Sequence, residues 1–116
     1  MTLDSVVAIL PVEDFAEARA WYTTLFGREP DIEPIEDTAE WQIAENAWVQ
    51  VCVDIASAGR TSVVIGVRDI DAHATALTAA GITVGEIQEY PGVVKTVAAP
   101  DPAGNTVTFV QELTQG

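Results

Sequence analysis

The chain has 116 residues, 48% of them hydrophobic, and a formal net charge of -13 from 18 acidic and 5 basic side chains. That length supports one domain burying about two-thirds of the surface its unfolded chain exposes, and the negative charge repels phosphate backbones, which argues against nucleic acid as a partner. No apolar run reaches the roughly 20 residues that span a bilayer, and MTLDSVVAILPVED carries Asp4 where a signal peptide has basic residues. With a lone Cys52 and no internal disulfide to form, a cytoplasmic protein with no membrane partner is the expectation.

The first element is an apolar run, Val6, Ala8 and Leu10, that ends at Asp14, a residue placed to cap the helix that follows. Phe15, Ala18, Trp21, Tyr22 and Leu25 then recur at helical spacing, Glu17 makes a capping box with Asp14 plausible, and Gly27 supplies a left-handed stop. Arg28 to Ile35 contains Pro30 and Pro34 and reads as a weak edge strand or an irregular connection. Glu29, Asp31, Glu33, Glu36, Asp37, Glu40 and Glu45 follow one another with no Lys or Arg between them, either as a solvated face or as a field that attracts a cation.

Thr38–Ala44 and Ala47–Asp54 read as a hairpin around Glu45-Asn46. In its second strand Val49, Val51 and Val53 alternate with Trp48, Gln50 and Cys52, so the mixed face looks away from the aliphatic one, towards solvent or a pocket. Trp41 and Trp48 are expected on facing strands, where two indoles offer flat surfaces to a conjugated or cationic ligand or anchor a dimer interface.

Ile55 to Arg60 reads as a linker, and from Thr61 the opening pattern returns. At one constant offset Val7–Leu25 overlies Ser62–Ala80, pairing Val12-Glu13-Asp14-Phe15 with Val67-Arg68-Asp69-Ile70. Val63, Ile65 and Val67 form the strand, Ile70, Ala74 and Leu77 the helix stripe, and Gly81 the stop. A strand of limited strength follows over Ile82–Glu89, then a Tyr90-Pro91-Gly92 turn, a strand over Val93–Ala99, the turn Asp101-Pro102-Ala103-Gly104-Asn105, and a last strand over Thr106–Gln111. In that strand Val107 and Phe109 share one face, Thr106, Thr108 and Val110 the other. The chain therefore reads as two units, about 4–54 and 61–112, which pair to bury one core.

Two strand-helix-three-strand units, the opening ILPVEDFAEARAWYTTLFG and the closing DPAGNTVTFVQ together resemble the vicinal oxygen chelate superfamily, which includes glyoxalase I, extradiol dioxygenases and the fosfomycin- and bleomycin-resistance proteins. The resemblance covers nearly the whole chain. It implies an α+β fold of two βαβββ units whose curved mixed sheets surround a cavity, with helices outside, and a homodimer that either keeps or exchanges its units. Enzymes of the superfamily hold a divalent metal with His, Glu or Gln at positions that fall here on Val7, Gln50, Ser62 and Thr108. Only Gln50 among these is a credible ligand, because valine has no lone pair and hydroxyls bind transition ions weakly.

His73, early in the second helix, reads as a surface residue; Cys52 has no base beside it in sequence and reads as a small apolar residue. Lys95 fits either a cavity or a solvent-facing position. Within the resemblance, the expected function is metal-free, cofactor-free sequestration of a small molecule such as a cationic or aromatic antibiotic, in a cavity lined by Val7, Ile9, Trp41, Trp48, Gln50, Cys52, Ser62, Val64, Thr106, Thr108 and Val110. The rivals are a metal-dependent lyase, isomerase or dioxygenase with a shifted site, and an accessory module with a filled core.

Overall fold

The computed structural model describes residues 2–113. Its first half runs β1 Val6–Val12, α1 Phe15–Phe26, β2 Thr38–Ala44 and β3 Ala47–Val53. The second half runs β4 Ser62–Gly66, α2 Ile70–Ala79, β5 Gln88–Tyr90, β6 Val94–Pro100 and β7 Thr106–Glu112. No helix among the described residues is long and apolar enough to cross a membrane.

Each half is wired alike. The first sheet has the order β1-β3-β2 and the second β4-β7-β6-β5, and in each the opening strand lies parallel to the closing strand of its half. The fold is thus α+β with two mixed sheets, and these are not closed into a barrel. Of the two readings of Arg28–Ile35, a weak edge strand or an irregular connection, the second describes it: it carries only a bridge between Ile32 and Glu40, because Pro30 and Pro34 have no amide hydrogen to give a ladder. Its counterpart in the second half is equally reduced: of Ile82–Glu89 only Gln88 onwards pairs, with the lone bond from Gly85 N–H to Ala98 C=O (2.9 Å) upstream.

Both helices start by the same device. Asp14 Oδ1 accepts from the Glu17 amide and Asp69 Oδ1 from the Ala72 amide, each at 3.1 Å. Such a bond satisfies one of the amides that a helix start leaves free. Gly27 ends α1 in the left-handed region, with φ of 73°; α2 stops at Ala80, one residue before Gly81.

The apolar alternation of both halves is spent on one core. Leu10, Val12, Ala39, Trp41, Val49 and Val51 from the first sheet join Val97, Ala99, Val107 and Phe109 from the second, together with Tyr22 and Leu25 of α1 and Ile70 and Leu77 of α2. Since each sheet covers this core with its helix-side face, the other face of each points away from it. A buried polar knot joins the halves at one end. Asp101 Oδ2 accepts from Tyr22 Oη (2.7 Å) and from Asn105 Nδ2 (2.9 Å), and Asn105 Nδ2 also donates to the Pro11 carbonyl at 2.7 Å. Asp101 Oδ1 takes the amides of Ala103, Gly104 and Asn105. Burial first and the Asp101 contact second push the Tyr22 phenol far up, so it stays a donor. The linker presses on the same turn, and a Cβ at Gly59, whose φ is +77°, would run into the Ala103 carbonyl.

Candidate functional site

Pairing register sets out the outward face of the first sheet as rows across three strands. Thr38, Cys52 and Pro11 form one row; Glu40, Gln50 and Ile9 the next; Gln42, Trp48 and Val7 the third. Neighbours in a row are about 5 Å apart and successive rows about 7 Å. Val7 and Ile9 are 44% and 49% exposed, unusual for aliphatic side chains in a strand centre. On the second sheet the outward rows are Pro100, Thr106 and Ser62, then Ala98, Thr108 and Val64, then Thr96, Val110 and Gly66. Val64 there is 65% exposed.

Of the predicted cavity residues, Val7, Ile9, Trp48, Gln50 and Cys52 therefore share one outward face and Ser62, Val64, Thr106, Thr108 and Val110 share another. The two sets do not meet through the core. At the sheet edges, Val6, Ala8 and Trp48 approach Val63, Val64 and Ile65 around a groove of about 330 Å³ that is mostly apolar.

Trp41 does not belong with them. It is fully buried, packs on Tyr22 and Phe26 with ring centroids 6.1 and 5.5 Å away, and donates its indole N–H to the Arg28 carbonyl at 3.0 Å. A regular hairpin around Glu45-Asn46 pairs Ala44 with Ala47 and would set Trp41 opposite Gln50. Instead the register shifts by one residue between Gln42 and Ala44, Trp41 pairs with Val49, and Glu40 takes the place opposite Gln50. One inserted residue exchanges the two faces of a strand.

That shift delivers a side chain absent from the expected site. Glu40 is half-buried, and its Oε2 accepts from Gln50 Nε2 at 2.8 Å. Its backbone is fixed on both sides, by β3 and by Ile32, whose carbonyl accepts the Glu40 amide at 2.9 Å. The hairpin's alternation could have revealed Glu40 only to a reader who already knew of the bulge.

Of the four positions that hold the superfamily's metal, only Gln50 carries a matching donor here. Val7 and its row-mate Trp48 offer no lone pair suited to a metal; neither does Ile9 beside Gln50, and Ser62 and Thr108 present hydroxyls only. Gln50 donates its Nε2 to Glu40, which leaves its amide oxygen as the one suitable donor among the four positions. Among the described residues no three of His, Cys, Asp and Glu gather closely enough to hold an ion. Burial and then the Asp54 charge push the Cys52 thiol up, away from the thiolate form.

Other charged groups lie elsewhere. Arg19 pairs with Glu33 at 2.9 Å and Arg28 with Asp31 at 2.8 Å, so part of the acidic run is neutralised by cations from α1 and just beyond it. The backbone amide of Gln42 and then Arg28 hold the Asp31 carboxyl low, and the Arg19 hydrogen bond does the same for Glu33. Lys95 reaches Asp71 on α2 at 3.2 Å, on the helix side of its sheet. His73, expected at the surface, packs on Phe109 with ring centroids 4.4 Å apart, and its Nε2 is sealed from solvent without a partner.

No protein-family model and no curated protein matches the chain by sequence. Solved structures do. A glyoxalase/bleomycin resistance protein from Catenulispora acidiphila is 30% identical over 92% of this chain and 96% of its own, with a TM-score of 0.86. TnmS3, an antibiotic-binding protein from Streptomyces sp. CB03234, is 18% identical over 97% of this chain and 98% of its own, with a TM-score of 0.82. A lactoylglutathione lyase from Agrobacterium tumefaciens is 19% identical over 96% of both chains, with a TM-score of 0.78. At the last two identities the likeness is one of fold.

Proposed function

The chain belongs to the glyoxalase and bleomycin-resistance proteins of the vicinal oxygen chelate superfamily, and from that premise we propose that it binds a small molecule without a metal, sequestering a cationic or aromatic antibiotic rather than transforming a substrate. The observation that carries this reading is the donor set: the positions through which the superfamily's enzymes grip an ion hold a valine, a serine, a threonine and a glutamine, a single suitable ligand where an ion needs several. Sequestration asks less of a site than catalysis does. Apolar and aromatic surface desolvates the ligand, and a few polar groups orient it.

The two outward faces supply those parts separately, Trp48 and Ile9 on one and Thr106, Thr108 and Val64 on the other. We infer that the cavity is completed in a homodimer, where the first-half face of one copy closes against the second-half face of another. Two features support the pairing. β1 and β4 are edge strands, and Val6 and Val64 on them are 67% and 65% exposed, the kind of apolar edge that proteins cover. TnmS3, of the same fold, is an antibiotic-binding protein, so the fold is compatible with the binding role proposed here. A reducing compartment such as the cytoplasm suits the unpaired Cys52.

Calorimetric titration with Zn, Ni, Mn and Fe(II), beside light scattering, tests the proposal. The expected result is a dimer at micromolar concentration with no stoichiometric metal uptake. Micromolar, one-to-one metal binding that is lost in Gln50→Leu would establish the metal-dependent lyase, isomerase or dioxygenase reading instead. A monomer would remove the shared cavity.

A further inference from the structure

We propose that Glu40, oriented by Gln50, is the residue that selects ligand charge on the first-sheet face, so that the preferred ligand is an organic cation carrying a flat apolar ring. This rests on the reading of that face as the ligand surface and adds which side chain discriminates. Three observations carry it.

The carboxylate is held in place and left without a cation. Its strand is pinned on both sides, and Gln50 Nε2 holds Oε2 at 2.8 Å. One such bond occupies a fraction of what an ionised carboxylate can accept. The ion pairs among the described residues engage Arg19, Arg28 and Lys95, and each goes to an acid other than Glu40. A half-buried charge in this condition is costly to desolvate unless a partner arrives with the ligand.

Its surroundings suit one class of partner. Trp48 lies diagonally on the adjacent strand, about 7–8 Å away, and Ile9 lies in the same row two strands across, about 10 Å away, so an indole and an apolar floor stand beside the carboxylate. A quaternary or protonated amine attached to an aromatic ring can meet the indole through cation–π attraction while its charge faces Glu40. The outward rows of the second sheet, which face it only in the homodimer proposed above, carry Thr106, Thr108, Val110, Ala98 and Val64, with no charge that would compete for it or neutralise it.

The discrimination is also local. A net charge of -13 draws cations to the whole surface, but Glu40→Gln and Glu36→Gln change that total equally, and Glu36 is exposed outside the hairpin. The probes are trimethylanilinium and its uncharged isostere tert-butylbenzene, followed by NMR shift titration of the native protein and both variants. Wild type is expected to bind the cation about tenfold more tightly than the isostere. Glu40→Gln should remove about that factor for the cation and leave the isostere unchanged, which also reports that the variant is folded, while Glu36→Gln should leave both within about twofold.

Equal losses in the two variants, or equal binding of the two probes by wild type, would overturn the role of Glu40 and leave the ligand-binding reading standing. Failure of both probes to bind wild type would overturn that reading, and the role of Glu40 with it.

Discussion

The two sheets are alike on the side that faces the core and unlike on the side that faces away. On the core side, Ala8, Leu10, Val49 and Val51 in one correspond to Val63, Ile65, Val107 and Phe109 in the other, each set under a helix opened by a capping aspartate. On the outward side the first sheet carries Trp48, Gln50, Glu40 and Cys52, and the second Ser62, Thr106, Thr108 and Val64. Packing tolerates little change in shape or polarity, so a duplicated unit keeps its inner face. The outer face is released from that demand, and ligand chemistry can differ from one half to the other.

The sharpest way to break the comparison is through its two tryptophans on adjacent strands. Trp41→Ala should cost about 3–5 kcal/mol in urea unfolding, since it empties a fully buried site between Tyr22 and Phe26. Trp48→Ala should cost less than about 1 kcal/mol and act on ligand binding instead. Equal losses from the two would mean that the faces are not distinct.

Next in size is the knot that joins the halves. Asp101→Ala removes the acceptor of the Tyr22 hydroxyl, one of the two bonds of Asn105 Nδ2 and a carboxylate shared by three backbone amides, and should lower stability by about 3 kcal/mol. Tyr22→Phe, which removes one donor and leaves the other bonds of Asp101 in place, should lower it by about 1 kcal/mol. Denaturant midpoints that fall by the same amount in both would show that the turn does not depend on the carboxylate.

The smallest effect concerns pH. Burial against Phe109 holds the His73 imidazole below its ordinary 6.5, so on acidification the unfolded chain takes up this proton first. The contribution is complete above about pH 6.5 and declines as pH falls from there towards the lowered folded value. Wild type should therefore lose stability relative to His73→Leu between pH 7 and 5.5, above the range in which carboxylates titrate. A constant difference between the two proteins across that range would contradict the burial assigned to His73.

Much of this architecture is legible in the residue pattern. The repeated Asp caps, the glycine at the end of α1 and the alternation of Val107 and Phe109 with Thr106, Thr108 and Val110 each follow from local rules that the tertiary fold then respects. Trp41 was not legible, because the Glu45-Asn46 turn and the alternation agree on a regular hairpin and only a one-residue bulge, with no sequence signature of its own, reverses the strand. His73 left a signal that could have been used: it stands three residues after Ile70 and four before Leu77, on the stripe that faces the core. The partners of Asp31 and Glu33 come from Arg28 and Arg19, contacts that no charge count along the chain reveals.

The claim that binding needs the first-sheet face and no metal is tested most directly by tryptophan fluorescence of metal-stripped protein, titrated with a panel of cationic glycopeptide and aromatic antibiotics. Saturable quenching by at least one compound, lost in Trp48→Phe and unaffected by added divalent ions, is the predicted result. Quenching that appears only when a metal is supplied, or persists without Trp48, would contradict it.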